Sequence, residues 1–213
     1  MTWLEGHWDT VLNLMAHHSY LAGVPLVVGL LISIPLGWLA QKYSWLSTTL
    51  IAGTGLLYTI PSIALFILMP GILGTGFLDP VNVLVSMTIY TIALLTRTAS
   101  DGLGSVPEDV LLSATAMGVR PFRRLLTIDL PLAVPVIAAG LRVAAVSNVS
   151  IVSVAALIGV PQLGQLFTDG FQRDFADPLV VGVVGCVVLA LAFDVAIVAL
   201  ARIATPWQRG RAA

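Results

Sequence analysis

Apolar residues dominate five long stretches of this chain, roughly residues 20–40, 48–69, 81–99, 133–158 and 179–201. Each stretch is close to the roughly 20 helical residues that cross the hydrocarbon core of a bilayer. Short polar segments separate the stretches and hold most of the charged residues. The pattern predicts an all-α, polytopic membrane protein with five transmembrane helices. We expect residues 1–213 to form a single transmembrane domain.

The overall composition supports this prediction. Of the 213 residues, 58% are hydrophobic and only 10% are charged, and the mean hydropathy is +0.98. Soluble domains carry about a quarter charged residues, so this composition excludes an ordinary soluble domain. The net charge of −1 argues against nucleic-acid binding. The single cysteine, Cys186, permits neither an intrachain disulfide nor a metal cluster built from thiolates.

The distribution of basic residues orients the chain in the membrane. Cytoplasmic segments of membrane proteins carry an excess of lysine and arginine. Eight of the ten basic residues lie at or after the ends of the first, third and fifth stretches: Lys42, Arg97, Arg120, Arg123, Arg124, Arg202, Arg209 and Arg211. The N-terminus is therefore predicted outside the cell and the C-terminus inside. Aromatic residues near the same ends are expected at the cytoplasmic interface: Trp38, Tyr43, Trp45 and Trp207.

The long cytoplasmic segment 105–131, here called the elbow, is predicted to contain two short helices. "SVPE" resembles a capping box that begins the first helix, with Ser105 as N-cap and Glu108 three residues later. Gly118 suits the left-handed residue that ends this helix. Pro121 is well placed to begin a second helix. Pro131 is expected to end it before the fourth span.

The elbow also combines charge with apolar side chains. Arg120, Arg123 and Arg124 lie beside an apolar run that we expect to be exposed: Phe122, Leu125, Leu126 and Ile128. Three arginines alone are explained by contact with anionic lipid headgroups. Lipid contact does not explain the glycine, the two prolines and the apolar run. An exposed apolar surface beside basic side chains is better suited to docking in a groove of another protein.

At this point the sequence resembles a known family. "LLSATAMGVRPFRRLLTIDLPLAVP", residues 111–135, resembles the "EAA" loop of bacterial ATP-binding-cassette importer permeases. Gly118 is followed after nine residues by Ile128, Leu130 and Pro131, as in that motif. Ala114 matches its second alanine. Leu112 replaces the usual glutamate and Ser113 the first alanine.

Other segments are similar to one branch, the permeases that import osmoprotectants such as glycine betaine, choline, carnitine and proline betaine. These segments are "YTIPSIALFILMPGILGTG" (58–76), "PVIAAGLRVAAV" (135–146) and "AALIGVPQLGQLF" (155–167). The resemblance implies the type I importer permease fold, located in the bacterial inner membrane. It implies a second permease subunit, identical or related, two cytoplasmic ATPases that bind ATP, and an external substrate-binding protein. The elbow would be the element seated in the ATPase.

The residues also argue against an enzyme. A P-loop needs a lysine after a glycine-rich turn, and the only lysine, Lys42, has no such turn. The chain is therefore expected to bind no nucleotide or other cofactor itself. His7, His17 and His18 precede or border the first span, where we expect solvated or interfacial side chains rather than a metal site.

Two charges lie within the predicted spans, Arg142 in the fourth and Asp194 in the fifth. Charges inside a membrane are costly and usually paired, which predicts an ion pair joining the two helices. Further polar residues within spans are candidates for lining a transport route: Tyr58, Tyr90, Ser147, Asn148, Ser150 and Ser153. A permease for amino acids such as methionine remains an alternative. So do an autonomous channel or proton-driven carrier and a membrane scaffold without transport.

Overall fold

The computed structural model describes residues 2–207, which are helical apart from short connections. Nine α-helices follow one another in that part of the chain: α1 (Thr2–Lys42), α2 (Ser44–Tyr58), α3 (Ser62–Leu73), α4 (Pro80–Gly104), α5 (Glu108–Ala116), α6 (Pro121–Arg124), α7 (Leu130–Val152), α8 (Gln165–Gln172) and α9 (Ala176–Ala204). A π-helical turn, Leu125–Asp129, joins α6 to α7, and a 3-10 helix, Ser153–Ile158, follows α7. Arg209 and Arg211, used above to orient the chain, lie outside the described residues.

Four of these continuous helical segments are long and apolar enough to cross a membrane, and the bent pair α2–α3 can supply a fifth crossing. The predicted third and fifth spans correspond to α4 and α9. The first span is longer than predicted, because α1 starts at Thr2, with a kink at His7. At about 1.5 Å per residue, its 41 residues extend for about 60 Å.

The second span is not the single helix that its apolar composition suggests. α2 and α3 are bent by 100° relative to each other. Pro61 precedes α3 with an extended backbone, because a proline ring disfavours continuation of a helix through the preceding residue. The Tyr90 hydroxyl on α4 donates a hydrogen bond to the Ile60 carbonyl oxygen. This bond satisfies the Ile60 carbonyl oxygen, which the break deprives of a hydrogen bond within the helix.

At the centre of the bundle, α1 packs closely against α4 at positions that carry small residues. A Cβ atom on Gly29 would lie 2.5 Å from Thr91 Cγ2, and one on Gly37 would lie 2.7 Å from Ala99 Cβ and from the Ser100 backbone nitrogen. Only glycine permits such close approach of two helices, which is a common device in membranes. α7 and α9 pack around this pair and complete the bundle.

Two local predictions about the elbow are wrong. Ser105 does not cap α5, because its hydroxyl donates instead to the Gly102 carbonyl oxygen at the end of α4, 2.7 Å away. Pro131 does not end the helix before the fourth span. It lies in the first turn of α7, and the chain continues into α7 through the π turn. There the Leu130 N–H bonds to the Leu125 oxygen five residues back, and the wider turn accommodates a proline that a regular α-helix would exclude.

Candidate functional site

The elbow is a helix–turn–helix unit with a fixed turn. α5 ends in a turn in which Gly118 has a φ of +77°. The Gly118 N–H bonds to the Thr115 oxygen at 2.9 Å and the Val119 N–H to the Ala114 oxygen at 3.1 Å. This pair of bonds is the Schellman arrangement, which requires a left-handed residue at the glycine position. The predicted turn at Gly118 and the start of a second helix at Pro121 are both confirmed.

The elbow carries an exposed apolar surface, here called the ridge: Leu112, Met117, Phe122 and Leu126. Met117 is 74% exposed and Phe122 65%. Ser113, Arg120 and Arg123 are also exposed beside the ridge. On a surface outside the membrane, a group of large exposed apolar side chains usually marks a site of interaction with a partner. Met117 was not identified from the sequence, although it directly precedes the turn glycine.

Three residues of the predicted exposed surface lie elsewhere. Leu125 is buried and packs with Leu103 and Ala133 in an apolar cluster at the base of the elbow, and Ile128 is half-buried. The Leu125 side chain therefore packs into the bundle and is not part of an exposed surface. The third residue is Arg124.

Arg124 makes contacts within the elbow and is not part of a basic flank. Its Nε atom donates to Asp129 Oδ2 at 3.3 Å, and its Nη1 atom donates to Thr115 Oγ1 at 3.1 Å. These contacts join α5, α6 and the π turn. The basic flank of the ridge therefore consists of Arg120 and Arg123. Ala114, which matches the family motif, is buried, while Leu130 and Pro131 are half-buried at the start of α7.

A second candidate surface lies between α7 and α9. Arg142 Nε and Nη2 donate to the two oxygens of Asp194 at 2.6 and 3.0 Å. The predicted pairing is therefore present, in the bidentate geometry that favours arginine. The Arg142 side chain is 48% exposed. The pair thus faces a surface groove of about 460 Å³ that Ser147 also lines.

The groove continues toward the predicted outer end of the bundle. A neighbouring cavity of about 310 Å³ shares Val146 with it and is lined by Ser150, Ser153 and Cys186. Together the two cavities form a partly polar surface along α7, here called the α7–α9 groove. A face of this kind inside a membrane suits a water-containing route or a contact with another subunit better than contact with lipid tails.

Three of the predicted route residues, Asn148, Tyr90 and Tyr58, are not on this surface. Asn148 is buried and its amide donates to Thr91 Oγ1 at 3.0 Å and to the Ala22 oxygen at 3.2 Å. Tyr90 is buried as well, and its ring makes an edge contact with Tyr58 at 5.8 Å between ring centroids. Asn148 and Tyr90 therefore hold helices together within the chain. Tyr58 is exposed, but it lies at the end of α2, away from the α7–α9 groove.

A polar network near the predicted outer end was missed at the sequence level. His18 is fully buried. Its Nδ1 atom lies 3.1 Å from Gln162 Oε1 and its Nε2 atom 2.9 Å from the Val149 oxygen. The Gln162 amide group donates to the Ser153 oxygen at 3.1 Å, and its Oε1 also accepts the Gly164 N–H. The network joins α1, the end of α7 and the segment before α8.

The expectation that His18 is solvated or interfacial is thus wrong. The sequence did contain a signal that His18 is buried, because His18 lies on an apolar stripe of α1. The other members of that stripe are all buried: Val11, Leu14, Leu21 and Ala22. Among the described residues, no group of three histidine, cysteine or acidic side chains is arranged to hold a metal. The described residues offer docking surfaces and a polar groove.

Comparisons with known proteins agree with this geometry. Residues 29–209 match the family model described as "Binding-protein-dependent transport system inner membrane component". The osmoprotectant import permease protein OsmW of Salmonella typhimurium is 31% identical over 187 residues, which cover 85% of this chain and 86% of that protein. The glycine betaine/carnitine/choline transport system permease protein OpuCB of Bacillus subtilis is 24% identical over 206 residues, covering 97% and 94%.

A solved structure shares the fold. A chain of the MetNI methionine ABC transporter, in an inward-facing conformation, superposes with a TM-score of 0.85. The match covers 94% of this chain and 99% of that chain, at 20% sequence identity. The agreement extends over nearly the whole bundle, so the arrangement of helices described above is that of a type I importer permease.

Proposed function

This chain belongs to the family of binding-protein-dependent transport system inner membrane components, the permeases of ATP-binding-cassette importers, and we propose that it carries osmoprotectants such as glycine betaine, choline and carnitine. As a member of that family it is a transport protein of the inner membrane and not an enzyme. Membership implies an ATPase and a substrate-binding protein as partners. The substrate proposal is supported by the similarity to OsmW and OpuCB, whose names specify osmoprotectants.

The observation that carries the proposed mechanism is the exposed ridge of the elbow. A separate cytoplasmic ATPase dimer binds ATP, and each ATPase accepts one elbow in a groove that covers Met117 and Phe122. Arg120 and Arg123 fit an acidic rim around that groove. Because the turn at Gly118 and the Arg124 contacts fix the shape of the elbow, movement of the ATPase is transmitted to α4 and α7.

The proposed assembly places two permease subunits, identical or related, side by side with the α7–α9 groove along the route between them. Ser147, Ser150 and Ser153 then contact the passing solute, and the external binding protein delivers it at the opposite end from the elbow. The Arg142–Asp194 pair fixes α7 against α9. In this orientation the N-terminus is outside and the elbow is in the cytoplasm.

The experiment that tests the proposal is reconstituted transport. The chain is purified with its co-purifying partners, identified by mass spectrometry, and placed in proteoliposomes with internal ATP and the external binding protein. We expect ATP-dependent uptake of labelled glycine betaine, and no uptake of methionine. Uptake of methionine instead would assign the chain to amino acids, and uptake without ATP would refute the ATP-driven mechanism.

A pair of substitutions separates docking from general damage. Phe122→Glu places a charge in the proposed ATPase groove, whereas Leu157→Glu alters an equally exposed leucine, 64% exposed, at the opposite end of the bundle. We expect the ATPase to be lost from the purified Phe122→Glu complex and retained with Leu157→Glu. Retention of the ATPase by both variants would contradict the proposed docking surface.

A further inference from the structure

A cavity of about 410 Å³ separates the elbow from the cytoplasmic end of the bundle. One wall comes from the ends of α1 and α4, and the other comes from α5, the start of α6 and the π turn. The polar and aromatic residues of the lining are Trp38, Gln41, Lys42, Glu108, Arg124 and Asp129. The lining of this cavity shares no residue with the α7–α9 groove or with the ridge.

The lining contains a buried acceptor that has no donor. Asp129 is 5% exposed, and its Oδ1 atom makes no hydrogen bond within residues 2–207. The other carboxylate oxygen, Oδ2, is held by Arg124 at 3.3 Å. A carboxylate oxygen can only accept, and leaving it buried without a donor is among the costlier defects of a fold. Asp129 also ends the π turn, a type of irregularity that often occurs at functional sites.

The same cavity presents a cation that is not paired with an acid. The Lys42 ammonium lies 5.1 Å from the centre of the Trp38 ring and 5.3 Å from that of Tyr43. It makes no ion pair with any residue in the described part of the chain. Lys42 and Arg124 balance Glu108 and Asp129, so the lining is neutral overall while its charges are separated. The two cations disfavour a metal ion at Asp129.

We propose that this cavity binds a small cytoplasmic zwitterion of the free amino acid class. Its ammonium group donates N–H hydrogen bonds to Asp129 Oδ1, and its carboxylate pairs with Lys42. Both ends are then charge-assisted hydrogen bonds, the stronger kind. A fully methylated ammonium has no N–H and cannot satisfy Asp129 Oδ1. The site therefore discriminates amino acids from betaines by the presence of that donor.

Such a ligand would also restrain the elbow. It contacts the π turn and α1 at once, so it holds the elbow against the bundle. A restrained elbow lowers the rate at which the ATPase cycles, and this second consequence rests on the coupling role proposed above. Binding itself does not depend on that role, so the two parts are measured separately.

Binding is tested by calorimetry on the intact permease–ATPase complex in nanodiscs, with glycine as the probe and glycine betaine as its N-methylated counterpart. We expect glycine to bind, and Asp129→Asn to weaken its binding by about tenfold or more, the effect of losing a charged hydrogen bond. Lys42→Met should weaken glycine binding similarly while leaving the Arg124–Asp129 contact intact. Asp101→Asn is the matched control, since Asp101 is an exposed carboxylate paired with Arg97 outside the cavity.

The outcomes are separable. Equal glycine binding by the wild type and the Asp129→Asn and Lys42→Met variants, or no binding to the wild type, would overturn the site and leave water as the donor to Oδ1. Equal binding of glycine betaine at this site would overturn the role of the N–H group. Glycine binding that slows ATP hydrolysis supports the whole inference. Glycine binding without any change in ATP hydrolysis supports the site but refutes the restraint of the elbow by the ligand, while the coupling role itself is tested by the Phe122→Glu and Gly118→Val variants.

Discussion

Replacing Gly118 with valine tests whether the shape of the elbow transmits movement. The φ of +77° at this position lies in the left-handed region, where a residue with a Cβ costs about 1–2 kcal/mol and a β-branched one is at the upper end. No atom lies within 4 Å of a Cβ built on Gly118. The penalty is therefore one of backbone conformation and not of collision with the bundle.

The size of the effect follows from that penalty. A cost of about 1–2 kcal/mol reduces the population of the native turn about 5- to 30-fold relative to relaxed alternatives. The spans pack without help from this turn, so we expect normal insertion and abundance. Uptake per molecule of permease in ATP-loaded proteoliposomes should fall severalfold, together with stimulation of the ATPase by the loaded binding protein.

A graded series provides the control. Asparagine tolerates the left-handed region better than alanine or valine, so Gly118→Asn should retain most of the uptake, Gly118→Ala less, and Gly118→Val least. Uptake by the valine variant equal to that of the wild type, at equal abundance, would refute the reasoning that the turn must keep its shape. Loss of all three variants from the membrane would instead assign Gly118 to folding.

Three further substitutions test the packing of the bundle, each measured by thermal unfolding of the purified protein. His18→Ala should lower the free energy of unfolding by about 1–3 kcal/mol because it removes the buried hydrogen bonding of the imidazole to Gln162 and to the Val149 oxygen, whereas the exposed neighbour His17 should tolerate alanine; equal effects would contradict the buried network. Gly37→Leu should prevent stable folding, since even a Cβ would lie 2.7 Å from atoms of α4, and a normal yield would show that α1 and α4 can separate. Asp194→Asn should destabilise the protein, and exchanging the charges of Arg142 and Asp194 should restore part of the loss; no recovery on exchange would refute a direct contribution of the pair.

The sequence predicted best those elements that depend on long uniform patterns. The third and fifth predicted spans match α4 and α9, which extend a few residues beyond them. They were predictable because, in a bilayer, a run of about twenty apolar residues can satisfy its backbone hydrogen bonds only as a helix. The turn at Gly118 was predictable for a different reason, since glycine is the residue that a left-handed helix end requires. The ion pair of Arg142 and Asp194 followed from the cost of an isolated charge in a membrane.

The errors share another cause, competition between a local pattern and a distant or neighbouring partner. The break after Tyr58 combines a local proline, Pro61, with a hydroxyl from α4 that satisfies the Ile60 carbonyl, and hydropathy registers neither. The Ser105 hydroxyl donates to a carbonyl oxygen at the end of α4 instead of accepting from the N–H groups of α5. His18 was interpreted from its polarity, although its position on an apolar stripe indicated burial. In each case the deciding contact joins residues that the local pattern treats as unrelated.

The π turn at Leu125–Asp129 has a consequence for the phase of the helices on either side. Five residues per hydrogen-bonded step instead of four add one residue to the path, and one residue corresponds to about 100° of rotation around a helix axis. The angular offset between Phe122 below the turn and Arg142 above it is therefore set by this single extra residue. Deleting one residue there would convert the π turn to regular α-helix and rotate the elbow relative to α7. The ridge and the Arg142–Asp194 pair could then no longer face their respective partners at the same time.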